Sequence, residues 1–285
     1  MGGSEMFSVF ARTAAFAAFF CVSAGPLSAQ QQPAPAPQSS DNYKPPARFI
    51  APPGETRARK SEPGQSATAG TKTIGLVSII GETFTVKKIG IMVFGNEEES
   101  FPIAGWKVDD RVAALVARLL NKNFKVKRIQ LPAGAYAAFK NGDFLFKSYD
   151  DEFARFIAKY TAGQGCEYYL VVSPSGAQVG STNQFIGGLG VLRWSNLFTP
   201  PEHVHALSLL TVYDGQMKQL RSETGTIGQD TFLVAVKGPH VELKDKEMLP
   251  PDAKAAVADP RAQKIAWELL EQSLAKTLPK LFAAN

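Results

Sequence analysis

His203 and His205 flank Val204, and in an extended strand that two-residue spacing sets both imidazoles on one face, a geometry metal sites use. A tetrahedral site needs two further ligands. Glu202 would point to the opposite face and His240 is distant along the chain, so the pair is expected as solvent-facing histidines and no metal is assigned. Cys166 would need a histidine close by to act as a nucleophile, and none lies near it. It opens the apolar run Tyr168 to Val172, which marks a buried thiol. Asp109-Asp110 and Asp150-Asp151 have the look of paired acids, but each pair sits at a predicted helix start, where capping and the helix dipole account for carboxylates. Glu97-Glu98-Glu99 is expected as a solvated loop. Gly187-Gly188-Leu189-Gly190 lacks the Lys-Ser/Thr of a phosphate loop and is expected at a hairpin tip. With no Gly-x-Ser-x-Gly elbow, His-Glu-x-x-His helix or Cys-x-x-Cys pair, no catalytic residue and no cofactor is assigned; the balance is against an enzyme without excluding one.

Two stretches are candidates for contact instead of catalysis. Across Tyr168 to Pro201 the only charge is Arg193, and residues 185–198 hold eight large apolar side chains in fourteen positions. Connecting segments normally run over the surface and need polar residues. An apolar one folds back on the core, covers a pocket, or meets a partner. The contact candidates are Phe185, Ile186, Leu189, Val191 and Leu192, then Arg193, Trp194, Leu197 and Phe198, with Trp194 and Phe198 as anchors. Lys122, Lys125, Lys127 and Arg128 form a basic patch around one strand. Charge there blocks edge-to-edge pairing, and an anionic lipid or glycan is the alternative use.

The 285-residue chain carries 31 Lys+Arg against 26 Asp+Glu and has a mean hydropathy of −0.09, an ordinary globular balance. Residues 1–29 read as a cleavable secretory signal: Arg12, then an apolar core from Thr13 to Val22, then Leu27-Ser28-Ala29 before the cut, with a second cut after Ala24 as the alternative. Phe19-Phe20 precede Cys21 where a lipobox places a small residue, so the signal cysteine is expected to be discarded. Residues 30–72 hold eight prolines in 43 positions and form a Pro-rich disordered tether. Seven Lys+Arg against four Asp+Glu fall in residues 1–72, so over half the net charge belongs to the leader and tether and nucleic acid is not an expected partner.

Residues 73–285 are expected to form a single domain with insertions at 176–203 and 225–258. Ile74 to Ile80, Thr83 to Val86 and Ile89 to Phe94 read as strands, with a hairpin over 81–94. A helix follows with Val108, Val112, Leu115, Val116 and Leu119 on one face, then a strand from Phe124 to Ile129. A second helix runs from about Asp151 to Tyr160, capped by Asp150 and stopped by Gly163 or Gly165. Tyr168 to Val172 reads as a strand covered on both faces. Val204 to Tyr213 reads as one long strand, Asp214-Gly215 as a hairpin turn and Gln216 to Thr226 as the return. Asp259-Pro260 opens the last helix. The predicted fold is an α/β sandwich, a mixed β-sheet against three main helices, in the order β-hairpin-α-β-α-β-β-β-α.

Gly165 to Val172, Leu210 to Leu220 and Trp267 to Phe282 together resemble a group of bacterial envelope domains: the TolB amino-terminal domain, the outer-membrane activators of penicillin-binding proteins and the curli-secretion lipoprotein. The matching motifs are structural and carry no catalytic residues. The chain departs from the group in the 81–94 hairpin, the 225–258 insertion and the lack of a lipobox cysteine. The resemblance implies docking and assembly in the cell envelope. The expectation is therefore an exported, periplasmic, non-catalytic accessory protein that meets an envelope protein or itself through the apolar hairpin. The alternative is a periplasmic binding protein for a small apolar ligand or lipid, with a cavity beneath the same hairpin; an exported hydrolase is third.

Overall fold

The computed structural model describes residues 72–90, 95–142, 148–180, 182–194, 202–228 and 236–282. The signal, residues 30–71 of the tether, residues 91–94, and Leu197 and Phe198 lie outside the described residues, while Lys72, expected as the tether's last residue, opens the first strand.

Strand β1 (Lys72–Ser78) is buried on both faces: Ile74 and Leu76 enter one core, Val77 another. It lies between two parallel neighbours, β4 (Phe124–Ile129) and β5 (Tyr168–Pro174). Strand β5 alternates in the same way, Leu170 and Val172 to one side and Tyr169 and Val171 to the other, which accounts for its unbroken apolar run. Strands β10 (Ser208–Asp214) and β11 (Gln219–Thr224) complete a five-stranded sheet in the order β11-β10-β5-β1-β4. At the β10–β11 turn the Asp214 carboxylate accepts from the backbone N–H of Gln216 and Lys218, both at 2.9 Å, the side-chain-to-backbone bond that makes Asp a turn former.

The expected single mixed sheet is two sheets within the same mixed α/β class. The second five-stranded sheet runs β12-β9-β8-β2-β3, made of β2 (Thr83–Ile89), β3 (Glu97–Pro102), β8 (Leu189–Trp194), β9 (Glu202–Ala206) and β12 (His240–Leu243). A small pair, β6 (Gly176–Gln178) and β7 (Phe185–Gly187), stands apart. The stretch expected as one strand from Val204 breaks at Leu207, where the chain crosses between sheets. Leu207 N–H donates to Gly188 O at 2.8 Å, and its carbonyl accepts from Ser175 N–H at 3.1 Å. The acidic run 97–99 is edge strand, not loop: Lys87 faces Glu98 and Lys88 faces Glu97 across the antiparallel ladder, so cross-strand charge offsets its low strand propensity.

Helices α1 (Val108–Leu120) and α5 (Pro260–Phe282) share a core with the second sheet on one face of the first. In α1 the buried stripe ends on Leu120, while Leu119 is 38% exposed. In α5 Leu270, Leu274, Leu278 and Leu281 are buried, each contributing roughly 1.5–3 kcal/mol of apolar transfer. Asp259 Oδ1 accepts from Arg261 N–H at its start. Helices α2 (Ala135–Lys140) and α3 (Tyr149–Thr161) cover the other face of the first sheet with Tyr136, Phe153, Phe156 and Ile157. The cap of α3 is Ser148, whose hydroxyl accepts from Asp151 N–H, two residues earlier than the expected Asp150. Helix α4 (Ala253–Ala258) precedes α5. Among the described residues no helix is long and apolar enough to cross a membrane.

Candidate functional site

The chain leaves β1 and reaches β4 by way of α1 on one face of the first sheet, then returns to β5 by way of α3 on the other. The strand order of the first sheet therefore reverses at β1, with β4 on one side and β5 on the other, and the crevice beyond the carboxyl ends at such a switch point is where open α/β sheets hold ligands. A cavity of about 430 Å³ lies there, bounded by Ile79, Ile80 and Glu82 after β1 and by Pro174, Ser175 and Gly176 after β5.

The second sheet supplies the opposite wall. Along β2, Phe84 and Val86 enter the shared core while Thr85 and Lys87 face the cavity, as strand alternation requires. Lys87 donates from Nζ to Glu98 Oε2 at 2.8 Å and to Phe185 O at 2.7 Å, tying β3 and β7 to β2. Its side chain is only 11% exposed against 54% for Glu98. The Thr85 and Ser100 hydroxyls bond each other at 2.9 Å. Burial pushes the Glu82 carboxyl up, against the pull of the Tyr136 backbone N–H; burial also pushes the Tyr136 phenol up.

His205 lies in the cavity wall, 1% exposed, opposite Gly190 on β8 and His240 on β12. A Cβ on Gly190 would stand 2.9 Å from His205 Cε1 and Nε2 and 2.4 Å from Thr85 O, so the imidazole is laid over the bare glycine. Among the described residues neither ring nitrogen of His205 has a hydrogen-bond partner, nor has the buried hydroxyl of Ser175 in the same wall. Burial brings the His205 pKa down to about 4, and the nearby Gly187 and His203 carbonyls offset this in part without reaching bonding geometry. The ring is therefore neutral at pH 7, holding one donor and one acceptor. Buried polar groups are nearly always satisfied, so two unpaired ones lining one cavity mark it out.

The expectation of solvent-facing histidines does not hold: His203 is 4% exposed and His205 1%. Their face is roofed by a cluster comprising Val179, Ile186, Leu192, Leu207 and Val236, which no local pattern around residue 204 announces. The His203 and His240 rings meet edge to face at 5.5 Å. His205 leans over β8, away from the strand that carries His240, and among the described residues no group of three or more potential ligands is arranged to hold a metal.

Of the contact candidates, Leu189 and Val191 lie in the shared core, and Ile186 and Leu192 in the roofing cluster with Trp194 half-buried against it. Phe185 is 61% exposed. Arg193 and Glu202 form a buried clasp: Arg193 Nε donates to Glu202 Oε2 at 2.6 Å and its terminal nitrogens donate to the Pro250 and Pro251 carbonyls, while Glu202 Oε1 accepts from Leu249 N–H. The basic patch lies on and beside edge strand β4; Lys122 and Lys125 are exposed, Lys127 donates to Gln164 O, and Arg128 pairs with Asp110. Asp109 is no exposed dipole partner: Oδ1 accepts from Ser78 Oγ at 2.5 Å and Gly81 N–H at 3.2 Å, and burial pushes its carboxyl up. Cys166 is buried and its thiol pushed up by burial.

Lys87 and Ser175 are not candidates in the sequence, and Glu98 enters there only as part of a solvated acidic run. The one local signal was two lysines next to a β-branched run, followed about ten residues later by three glutamates.

No family model matches the chain, and no curated protein matches it. Among the solved structures that resemble it distantly are two bacterial proteins. Protein XCC0632 from Xanthomonas campestris, described under family-model DUF330, is 9% identical, with 74% of this chain and 89% of that one covered and a TM-score of 0.28. Lipoprotein GNA1162 from Neisseria meningitidis is 14% identical, with 68% of this chain and 98% of that one covered and a TM-score of 0.25. What the chain shares with them is a distant likeness of chain path alone, which does not single out the TolB, activator or curli-secretion group.

Proposed function

We propose that the protein is an exported, non-catalytic accessory protein of the cell envelope whose α/β domain binds a small ligand in the switch-point cavity, with the β6–β7 hairpin as its cover. Residues 1–29 and 30–72 support export and a tether by composition. The observation that carries the ligand reading is His205, fully buried in the wall of a cavity at the carboxyl ends of β1 and β5 with both ring nitrogens unpaired. The cavity's volume falls within the usual range for small-molecule sites.

Mass spectrometry of the natively extracted domain, under non-denaturing and then denaturing conditions, tests it. A defined adduct is expected, released on denaturation and lost in Ala137→Phe, which places a ring at the cavity mouth from an exposed position of α2. An adduct-free spectrum from the native extract would overturn the reading. Docking of an envelope protein is a second reading, favoured by one observation: Phe185 at the hairpin is a large apolar side chain left 61% exposed. Phe185→Ser should then abolish in vivo crosslinks from neighbouring hairpin positions, and an unchanged crosslink pattern would remove that reading.

A further inference from the structure

We infer that the cavity's ligand is a small amphiphile with a single carboxylate, which Lys87 receives in place of Glu98 while the apolar body lies along Ile79, Ile80, Ile186 and Leu189. This rests on the reading of the cavity as a ligand site.

Among the described residues two positive side chains line the cavity, Lys87 and Lys140, and two acidic ones, Glu82 and Glu98. Lys140 and Glu98 are exposed, whereas Lys87 is held in the wall by the Phe185 carbonyl. The Lys87–Glu98 pair is asymmetric. The cation is 11% exposed and cannot turn out to water without releasing β7; the anion, 54% exposed on an edge strand, can swing into solvent at little cost. An incoming carboxylate thus takes over a charge-assisted bond whose present acceptor leaves easily.

The rest of the lining selects among head groups. An ammonium would meet Lys87 at close range and is repelled. A doubly charged phosphate would lack a second buried cation. An alcohol can bond the neutral groups, the Thr85 and Ser100 hydroxyls, but leaves Glu98 where it is. The same wall holds two buried neutral groups that have no partner among the described residues, the Ser175 hydroxyl and the His205 ring, and neither adds a charge that would oppose a carboxylate. Apolar side chains on both walls suit a short hydrocarbon body.

Calorimetric titration of the intact domain with octanoate, 1-octanol and octylamine, followed by amide chemical shifts, compares head groups on one chain. Octanoate is expected to bind at least about tenfold more tightly than octanol, the scale of a charge-assisted bond over a neutral one, and octylamine not to bind. Lys87→Met should reduce octanoate to the affinity of octanol. Glu98→Gln, at an exposed position that leaves folding intact, should strengthen octanoate several-fold and leave octanol unchanged, because Lys87 loses its competing acceptor. Octanol binding as tightly as octanoate to the wild-type protein, with shifts confined to cavity amides, would overturn the carboxylate assignment while the ligand site stands. No shift at residues 79–87 or 174–189 with any of the three would overturn both. Weaker octanoate binding in Glu98→Gln would also count against the exchange of acceptors.

Discussion

At the scale of single residues, His205 ties stability to pH. Its folded pKa of about 4 lies below the usual 6.5, so on acidification the unfolded chain takes up the proton first. The stability it contributes is complete above pH 6.5 and is lost as pH falls towards 4. His203 shifts in the same direction, while Asp109 and Glu82, raised by burial, act in the opposite sense. The comparison that isolates the ring is between wild type and His205→Leu: from pH 7 to pH 4 the variant should gain about 3 kcal/mol relative to wild type in urea unfolding. A constant difference would mean that the ring is solvated in the folded protein. Gly190 belongs to the same arrangement. Gly190→Ala should cost about 3 kcal/mol by overpacking, and His205→Ala should not rescue it, because the new methyl still meets the Thr85 carbonyl at 2.4 Å. Full rescue would show that the imidazole alone sets the need for glycine.

Among the elements, those that local sequence determines stand close to where it puts them. The stripe of α5, the twin-faced run of β5 and the Asp214 turn each depend on residues within one segment, and the structure has them close to where periodicity and turn chemistry put them. The break at Leu207, the β3 edge strand and the burial of His203 and His205 depend on distant partners: the Ser175 and Gly188 backbone, the Lys87–Lys88 pair, and the roofing cluster. The candidate site was less legible than the fold for the same reason, since its wall joins the ends of β1 and β5 to side chains of β2, β3 and β9. Arg193 illustrates the gap. As the one charge in an apolar stretch it suggested a contact surface, yet it clasps β8 to the segment before α4 through Glu202 and two proline carbonyls. Arg193→Leu should therefore cost about 3–5 kcal/mol by leaving Glu202, 3% exposed, unpaired. The double variant with Glu202→Leu should recover a large part of the loss, as urea midpoints would show, and a double variant as unstable as the single would place the cost in packing.

For the whole molecule, the arrangement of layers sets which parts can move without unfolding the rest. Strands β1 and β5 are covered on both faces, so opening either one breaks two cores at once. The β6–β7 pair is three residues long in each strand and is held to the second sheet by its own small cluster and the Lys87 bond to Phe185. Native-state hydrogen exchange should accordingly show β1 and β5 amides exchanging only through global unfolding, and residues 176–187 through a local opening of much lower free energy. Lys87→Met should lower that local free energy by about 1–3 kcal/mol, the scale of a charge-assisted hydrogen bond, while leaving protection in α5 unchanged. Octanoate, in displacing Glu98 but keeping Lys87 in place, should leave the cover at least as protected as before. Exchange at 176–187 on the same free-energy scale as β5 would mean that the cover does not open separately. Ligand would then have to enter past Ala137 and Lys140 on the α2 side, and Ala137→Phe would slow its association as well as weaken its binding.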